Sequence, residues 1–530
     1  MKLRRREFIG TAVAGGVCAF GGSKLRSLKK KMNILYIMTD QQPVSCVSAY
    51  GKSGIKTPGL DSLAKDSALF ERAYISAFPC SPSRACQLTG REMHNTGVVA
   101  NDAMLHKNIL TLGDIAKDAG YTTGYFGKSH LYGYMYRGIQ DRNGYTEWHF
   151  DATETPEGWE KVTVEGGMGE DAPQHGFDLW RGGWEHYKNW LRAHGMEDIV
   201  SSNERLGCHM ILPPGDYSTV GVSAMPEEFH VESFISNETS RFIEQQKDTD
   251  RPWCAVCSFY GPHPPVAPPA PWDTAYSADE VELPESYKDS LEGKPAVQRN
   301  DTYHYRYGQW TDEEFKKYIS LYWGLVSFID QQIGEVISTL KQTGQYDNTM
   351  IVFTSDHGNF LGEHGMIFKS FGNGYEELYN VPMLIRVPGK IEGGRQNALV
   401  SHVDVLPTIL DACGIIPPPG IDGKSLILLS SGQTTRHRNE VFCQAETSSI
   451  ICRTESHKFV LHWGVENEIN ELYDLRCDPN EMRNIAYEAD SERTVSAIKE
   501  KIFTWLKETG HPYWSVIRAK DLGKTAPSST

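Results

Sequence analysis

The sequence predicts an α/β protein with a large mixed, mostly parallel sheet flanked by helices and a smaller C-terminal α+β subdomain. Two observations carry this prediction. Apolar runs of strand length alternate with segments of helical periodicity, which is the pattern of parallel strands joined by helices. Further along, short strands and one helix follow a change in composition near residues 430–435.

The individual elements have separate signals. Continuous apolar runs indicate strands buried on both faces, and they cover residues 33–39, 121–126, 253–259 and 350–355. Apolar residues at helical spacing indicate helices, and they cover residues 57–66, 112–120, 311–343 and 492–509. Thr311 and Glu314 have the spacing of a capping box at the start of the longest helix. Cys254 and Cys257 would point to opposite faces of their strand, which favours buried thiols over a redox or zinc pair.

We expect three parts along the chain. Residues 1–31 form an export signal and linker, residues 32–430 the main domain and residues 436–530 the C-terminal subdomain. An aromatic-rich insertion over residues 131–229 interrupts the main domain on its substrate side. Its aromatic side chains suit stacking on sugar rings, but they would equally supply a small core for the insertion itself.

Charge and hydropathy exclude several classes of protein. The formal net charge is −15, from 53 basic and 68 acidic residues. Nucleic-acid binding normally needs a basic face, so no nucleic-acid partner is expected. No apolar run approaches the ~20 residues that a membrane span requires. An anionic substrate would have to be bound by a local group of cations.

The N-terminal residues resemble a twin-arginine export signal. Arg5 and Arg6 precede Phe8 and Ile9, and a short apolar stretch follows over residues 11–20. This pattern predicts export by the twin-arginine machinery to a periplasmic or extracellular location in a bacterium. The alternative is a basic tail without a function.

Two predicted strands each end in an acid followed by another possible ligand. The pairs are Asp40-Gln41 and Asp356-His357. Sites in parallel α/β sheets lie beyond the carboxyl ends of the strands, where two such pairs can meet on one cation. Oxygen donors with one imidazole suit Ca²⁺, Mg²⁺ or Mn²⁺. A single aspartate at a strand end more often caps a loop.

The segment Phe78-Pro-Cys80-Ser-Pro-Ser-Arg84-Ala-Cys-Gln-Leu-Thr-Gly-Arg91 closely resembles the signature of the type I, formylglycine-dependent sulfatases, members of the alkaline phosphatase-like superfamily. Other segments resemble further motifs of this family and occur in the expected order from about residue 33 to 484. They are Thr57–Ala64, Gly127-Lys-Ser-His130, Tyr260-Gly-Pro-His263, Thr354–Gly358, Gly362–Gly365 with Lys369, Asp404–Thr408 and Glu471–Leu475.

The resemblance implies a specific chemistry. In the family a maturation enzyme oxidises the cysteine at the position of Cys80 to formylglycine (3-oxoalanine), an aldehyde that hydrates to a geminal diol. One hydroxyl attacks sulfur in line with the leaving alcohol. The second then loses its proton, and sulfate leaves as the aldehyde re-forms, so covalent catalysis divides one difficult step into two.

The resemblance also assigns residues to roles. The implied ligands of the metal, most often Ca²⁺ in relatives, are Asp40, Gln41, Asp356, His357 and the modified Cys80. Arg84 and Lys128 would hold the formylglycine oxygens, and His130 would take the diol proton. Lys128, His263 and Lys369 would contact the sulfate, with His263 or Lys369 protonating the leaving oxygen. Many relatives have aspartate in place of Gln41, which removes one negative charge from the site here.

Three functions remain open from the sequence. The leading hypothesis is a sulfuric ester hydrolase that removes sulfate from a carbohydrate. The first alternative is a phosphonate monoester or phosphodiester hydrolase of the same superfamily. The second is an exported sugar-binding relative in which Cys80 is never oxidised.

Overall fold

The computed structural model describes residues 31–101, 103–131, 136–140, 146–147, 160–164, 175–196, 198, 208–212, 220–299, 310–369, 373–391, 393–446, 448–463 and 469–522. The predicted export signal, apart from Lys31, and much of the aromatic-rich insertion lie outside these residues. Within the described part of the chain, none of the helices combines the length and apolar character that crossing a membrane requires.

A mixed sheet of eight strands forms the centre of the molecule. Its strands are β1 (Asn33–Asp40), β2 (Ala68–Phe70), β3 (Thr122–Gly127), β4 (Leu179–Arg181), β5 (Trp253–Pro262), β6 (Thr349–Ser355), β7 (Met383–Arg386) and β8 (Gly394–Gln396). Their order across the sheet is β8-β2-β7-β6-β1-β5-β3-β4. The five strands from β6 to β4 run parallel to one another, and β7 is antiparallel to both of its neighbours. The predicted mostly parallel α/β sheet is confirmed.

Helices cover both faces of this sheet, which explains the continuous apolar composition of its strands. The longer helices are α1 (Pro58–Ala64), α2 (Cys80–Thr89), α3 (Leu112–Asp118), α4 (Trp184–Ala193), α5 (Val231–Gln245), α6 (Asp312–Gln342), α7 (Val405–Cys413), α8 (Glu492–Glu508) and α9 (Trp514–Leu522). Cys254 packs in the apolar core on one face of the sheet and Cys257 in the core on the other, as predicted for buried thiols. The predicted capping box of Thr311 and Glu314 is also present at the start of α6.

A second, five-stranded sheet lies in the C-terminal part of the chain. Four of its strands are β9 (Glu440–Ala445), β10 (Ser449–Thr454), β11 (His457–His462) and β12 (Glu471–Asp474). The fifth is the short strand Ala77–Phe78, which comes from the main domain and pairs in parallel with β9. Helices α8 and α9 follow β12, and residues of α8 pack on β10 and β11. Because Cys80 follows this short strand, the C-terminal sheet helps to position the start of α2.

Candidate active site

The site lies at the carboxyl ends of four adjacent parallel strands. Asp40 is the last residue of β1, and Asp356 directly follows β6. Lys128 directly follows β3, and His263 directly follows β5. The strand order β6-β1-β5-β3 therefore brings to one edge residues that are far apart in sequence, as expected for a parallel α/β sheet.

Helix α2 supplies the residue predicted to become the nucleophile. Cys80 is its first residue, and all ten residues of this helix are buried. Arg84 lies one helical turn later and therefore on the same face as Cys80. Gly90 ends the helix in the left-handed conformation, with φ of 65°.

The sulfur of Cys80 lies among charged and metal-ligand side chains. Its Sγ atom is 3.1 Å from Nε2 of His357 and 2.8 Å from Nζ of Lys369. Asp40 lies further away, with Oδ1 at 4.0 Å from the sulfur. One ligand atom each from Asp40, Cys80, Asp356 and His357 lies within 4.8 Å of the others, and all four residues are buried.

The donor set of this cluster fits a divalent cation. Nδ1 of His357 donates to the Gly358 carbonyl at 2.8 Å, which leaves the Nε2 lone pair directed toward Cys80. Gln41 directly follows Asp40, and within the described residues its buried Oε1 has no hydrogen-bond partner. Together with two carboxylates and one imidazole nitrogen, this amide oxygen would give a ligand set dominated by oxygen, which Ca²⁺, Mg²⁺ and Mn²⁺ prefer.

Arg84 connects the two acids. It donates from Nη2 to Oδ2 of Asp40 at 2.9 Å and from Nε to Oδ2 of Asp356 at 2.8 Å. Its Nη1 atom donates to the Lys128 carbonyl at 2.7 Å and to the Ser258 hydroxyl at 2.8 Å. The guanidinium is completely buried, so its hydrogen bonds compensate the cost of removing three charges from water.

Cations dominate the electrostatics around Cys80 and Asp40. Burial alone would raise the pKa of Asp40, but Lys128, His263, Arg84 and Lys369 hold that pKa well below its usual range. The ammonium group of Lys128 lies 2.5 Å from Oδ2 of Asp40. These charges make the site receptive to an anion despite the net negative charge of the protein.

The charged side chains of the site also shift the pKa values of Cys80 and His263. Burial and Asp40 raise the pKa of Cys80, but Lys369, Lys128 and His357 outweigh them and lower it well below the usual value. Burial, Lys369 and Lys128 lower the pKa of His263 to about 3. Its Nδ1 atom donates to the Pro264 carbonyl at 2.8 Å, so Nε2 is the nitrogen that can accept a proton.

The remaining predicted residues have different surroundings. His130 lies two residues after Lys128 in the left-handed conformation, with φ of 58°. Within the segment Gly362–Gly365, Glu363 accepts from the Leu361 backbone N–H at 2.5 Å, and Nδ1 of His364 lies 2.7 Å from Oδ2 of Asp289.

Sequence reasoning missed the side chains that hold the loop after β3. The Lys128 carbonyl accepts from the hydroxyls of Ser258 at 2.7 Å and Tyr125 at 2.8 Å, in addition to Arg84. It also missed Asn359, which bonds the Gln41 amide at 2.8 Å. Asn359 directly follows the motif Thr354–Gly358, so its place in the sequence was a usable signal.

Comparison with known proteins decides the family. The sulfatase family model matches residues 32–415. A second model, described as N-sulphoglucosamine sulphohydrolase, C-terminal, matches residues 362–508. The chain belongs to the sulfatase family. It is therefore an enzyme that hydrolyses sulfate esters, as the segment around Cys80 indicated.

Individual relatives are similar to this chain in sequence or in fold. The sulfatase is 28% identical over 530 aligned residues to an N-acetylglucosamine-6-O-sulfatase of Bacteroides thetaiotaomicron, covering 91% of this chain and 87% of the relative. Its fold is similar to a phosphonate monoester hydrolase of Agrobacterium radiobacter, with a TM-score of 0.72, 24% identity and coverage of 90% and 96% of the two chains. A solved structure in complex with its substrate D-glucosamine-2-N,6-O-disulfate gives a TM-score of 0.69, with 22% identity and coverage of 91% and 99%.

Proposed function

We propose that this sulfatase removes sulfate from a sulfated carbohydrate by means of a formylglycine formed from Cys80 and a divalent metal, with Ca²⁺ the expected ion. The observation that carries the proposal is the position of the Cys80 sulfur, between His357 and Lys369 and beside Asp40. The sulfur stands where an oxygen of the formylglycine diol would be. A group at this position can contact metal ligands on one side and a cation on the other.

The chain's own residues would hold both groups. Asp40, Gln41, Asp356 and His357 would bind the metal together with the modified residue 80. When bound, a divalent metal lowers the pKa of a coordinated hydroxyl and offsets negative charge. Formylglycine supplies a diol that can attack sulfur and later release sulfate without hydrolysis of a stable ester. Arg84 binds the carboxylates of Asp40 and Asp356 and so holds both acids in place.

Lys128, His263 and Lys369 would bind the sulfate group. Lys369 is buried, and Cys80 and Asp40 raise its pKa despite that burial, so it carries a positive charge at neutral pH. Lys128 reaches the site from the carboxyl end of β3 and pairs with Asp40. Preorganised cations of this kind stabilise the charge of a transition state without reorganisation.

Two proton transfers complete the proposed reaction. His263 or Lys369 would protonate the oxygen of the leaving alcohol, and His130 would take the diol proton when sulfate is released. General acid or base assistance contributes ~10²–10⁴-fold to a rate. The low pKa of His263 leaves its Nε2 unprotonated at neutral pH, which favours the protonated Lys369 as the donor of the two.

The carbohydrate part of the proposal comes from relatives. One relative is named for its action on N-acetylglucosamine-6-O-sulfate groups, and one structure similar in fold contains a sulfated glucosamine. The aromatic-rich insertion over residues 131–229 is consistent with sugar stacking. Helix α4 within that insertion carries Trp190, which packs on Phe229 and Phe234, so this aromatic side chain also serves a local core.

Maturation and export form part of the same proposal. A formylglycine-generating enzyme would act on Cys80 before folding, because the folded chain buries this residue completely. The arginine pair Arg5-Arg6 favours the twin-arginine export machinery, and hence a periplasmic or extracellular location.

The deciding experiment is the mass of the peptide containing Cys80, from protein produced together with a maturation enzyme. We expect residue 80 to lose sulfur and two hydrogens and to gain one oxygen. Cys86, which is buried on the same helix, provides an internal control that should keep its thiol. Cys80→Ala should abolish turnover and leave the fold intact. An intact thiol at residue 80 would favour the sugar-binding alternative, and activity in the alanine variant would reject the mechanism.

A substrate panel then separates the enzymatic alternatives. Matched aryl sulfate, phosphonate monoester and phosphodiester substrates present the same leaving group and the same single negative charge, and they differ in the central atom and its substituents. We expect the highest kcat/KM on the aryl sulfate. A second panel then measures activity on sulfated sugars, which we also expect to be hydrolysed. A higher kcat/KM on the phosphorus esters would support the phosphonate monoester or phosphodiester hydrolase instead.

A further inference from the structure

Gln41 is held in an unusual backbone conformation beside the candidate metal site. Its φ is 69°, in the left-handed region that residues other than glycine and asparagine rarely adopt. The backbone N–H of Gln41 donates to Oδ1 of Asp356 at 2.9 Å, and its carbonyl accepts from the Tyr322 hydroxyl. Hydrogen bonds therefore fix the backbone N–H and the carbonyl of Gln41. The rotation of its side-chain amide must be determined by other contacts.

A chain of hydrogen bonds determines which end of that amide faces the cluster. The Phe360 carbonyl can only accept, and it lies 2.8 Å from one amide atom of Asn359, which must be Nδ2. Oδ1 of Asn359 consequently faces Gln41, 2.8 Å away, and requires Nε2 of Gln41 as its partner. The amide oxygen of Gln41 is left buried and, among the described residues, without a hydrogen-bond partner. The residue itself lies next to the acids, because it directly follows Asp40 and its backbone N–H bonds Asp356.

The long helix α6 supports this arrangement with two tyrosines one turn apart. The hydroxyl of Tyr318 accepts from Nδ2 of Asn359 at 2.9 Å and donates to the Phe360 carbonyl at 2.9 Å. The Tyr322 hydroxyl donates to the Gln41 carbonyl. Gln41, Asn359 and both tyrosines are fully buried, so water does not replace these bonds.

We propose that Asn359 is a positioning residue that orients the Gln41 amide so that its oxygen, rather than its NH₂ group, faces the metal. This inference rests on the proposed role of Gln41 as a metal ligand. The two ends of a glutamine amide have nearly the same shape, so sterics alone does not select one. An NH₂ group directed at a cation would repel it, whereas a carbonyl oxygen binds it.

The test is Ca²⁺ affinity, measured by calorimetry on the full chain, for Gln41→Ala, Asn359→Ala and the double variant. Residues that orient a ligand typically contribute 10–100-fold to metal affinity. We therefore expect Asn359→Ala to weaken Ca²⁺ binding ~10–100-fold in the wild-type background. In the Gln41→Ala background the same substitution should change the affinity very little, because its effect passes through Gln41.

A further variant keeps the test decisive. Asn359→Ser is too short to reach Gln41, so it should weaken Ca²⁺ binding as Asn359→Ala does, and it takes the place of the alanine variant if that variant fails to fold. Wild-type affinity in both Asn359→Ala and Asn359→Ser, or equal weakening with and without Gln41, would overturn the inference.

Failure of the inference is distinguishable from failure of the proposed function. If Gln41→Ala binds Ca²⁺ as tightly as the wild type, Gln41 is not a ligand and the inference fails with that assignment. The calorimetric measurement does not depend on turnover, so it separates metal binding from activity on any sulfate ester.

Discussion

The sequence identified Lys369 as a candidate site residue, but it did not predict which groups Lys369 contacts. Its place after the Gly362–Gly365 segment suggested a sulfate ligand. The structure adds that its ammonium group is buried and lies 2.8 Å from the Cys80 sulfur. The same cation therefore lowers the pKa of Cys80, and in the proposed reaction it would contact a sulfate oxygen.

Lys369→Ala should lower kcat/KM on a sulfate ester by ~10²–10³-fold, the usual loss for a preorganised group that stabilises developing charge. The measurement is steady-state kinetics on the matured enzyme. Lys117→Ala is the matched control, because Lys117 is half-exposed on α3 and pairs with Asp178 at the surface. An unchanged kcat and KM in Lys369→Ala would remove this residue from the site.

Among the elements, strand β3 requires a glycine as its last residue. Gly127 has φ of 95°, and a Cβ atom added there would lie 1.8 Å from the carbonyl oxygen of Ser258. The next residue, Lys128, has its backbone N–H bonded to that same carbonyl at 2.9 Å. The close approach of β3 and β5 at this point thus determines where Lys128 enters the site.

Gly127→Ala should reduce both stability and kcat/KM, because the new methyl group must displace the Ser258 carbonyl and the Lys128 backbone. Gly120→Ala provides the control, since Gly120 also has a positive φ, of 87°, but has open space around its Cβ position. The control should lose only the ~1–2 kcal/mol cost of a left-handed residue and keep its activity. Urea unfolding and kinetics on both variants test this, and equal effects in the two would contradict it.

In the whole molecule, a buried group of charges joins the main domain to the loop before α8. Lys294 donates to Oδ2 of Asp289 at 2.5 Å and to the Glu481 carbonyl at 2.6 Å. Burial opposes ionisation of Asp289, but His364 and Lys294 lower its pKa to about 2. The ion pair of Asp289 and Lys294 therefore stabilises the contact between residues 289–294 and the loop that contains Glu481.

Asp289→Asn should destabilise the protein most at neutral pH. The folded pKa of Asp289 lies below the unfolded value of ~3.9, so its contribution is complete above that value. The contribution disappears as the pH falls toward about 2. Urea unfolding between pH 7 and 3 should show the difference from wild type shrinking below pH 4. Asp347→Asn, at an exposed position, should show no such trend. A difference independent of pH would reject the ion pair as its cause.

Local sequence was sufficient to predict strands β1, β3, β5 and β6 of the central sheet and helices α1, α3, α6 and α8. It also identified the candidate side chains of the site. The strands at 33–40 and 349–355 and the helix α6 follow from apolar runs and a capping box, which act over neighbouring residues. The motif around Cys80 identified the family because its residues are contiguous. These features could be predicted because the interactions that produce them span only a few positions.

The tertiary structure decided which distant groups support those side chains. Asn359 and Tyr322 lie about three hundred positions from Gln41 in the chain, and the short strand Ala77–Phe78 pairs with β9 from the C-terminal part. Such contacts have no sequence period, because they arise where sheet order and helix packing bring remote segments together. The amino-acid sequence thus predicted the candidate nucleophile, metal ligands and cations, whereas packing determined how each of these side chains is oriented.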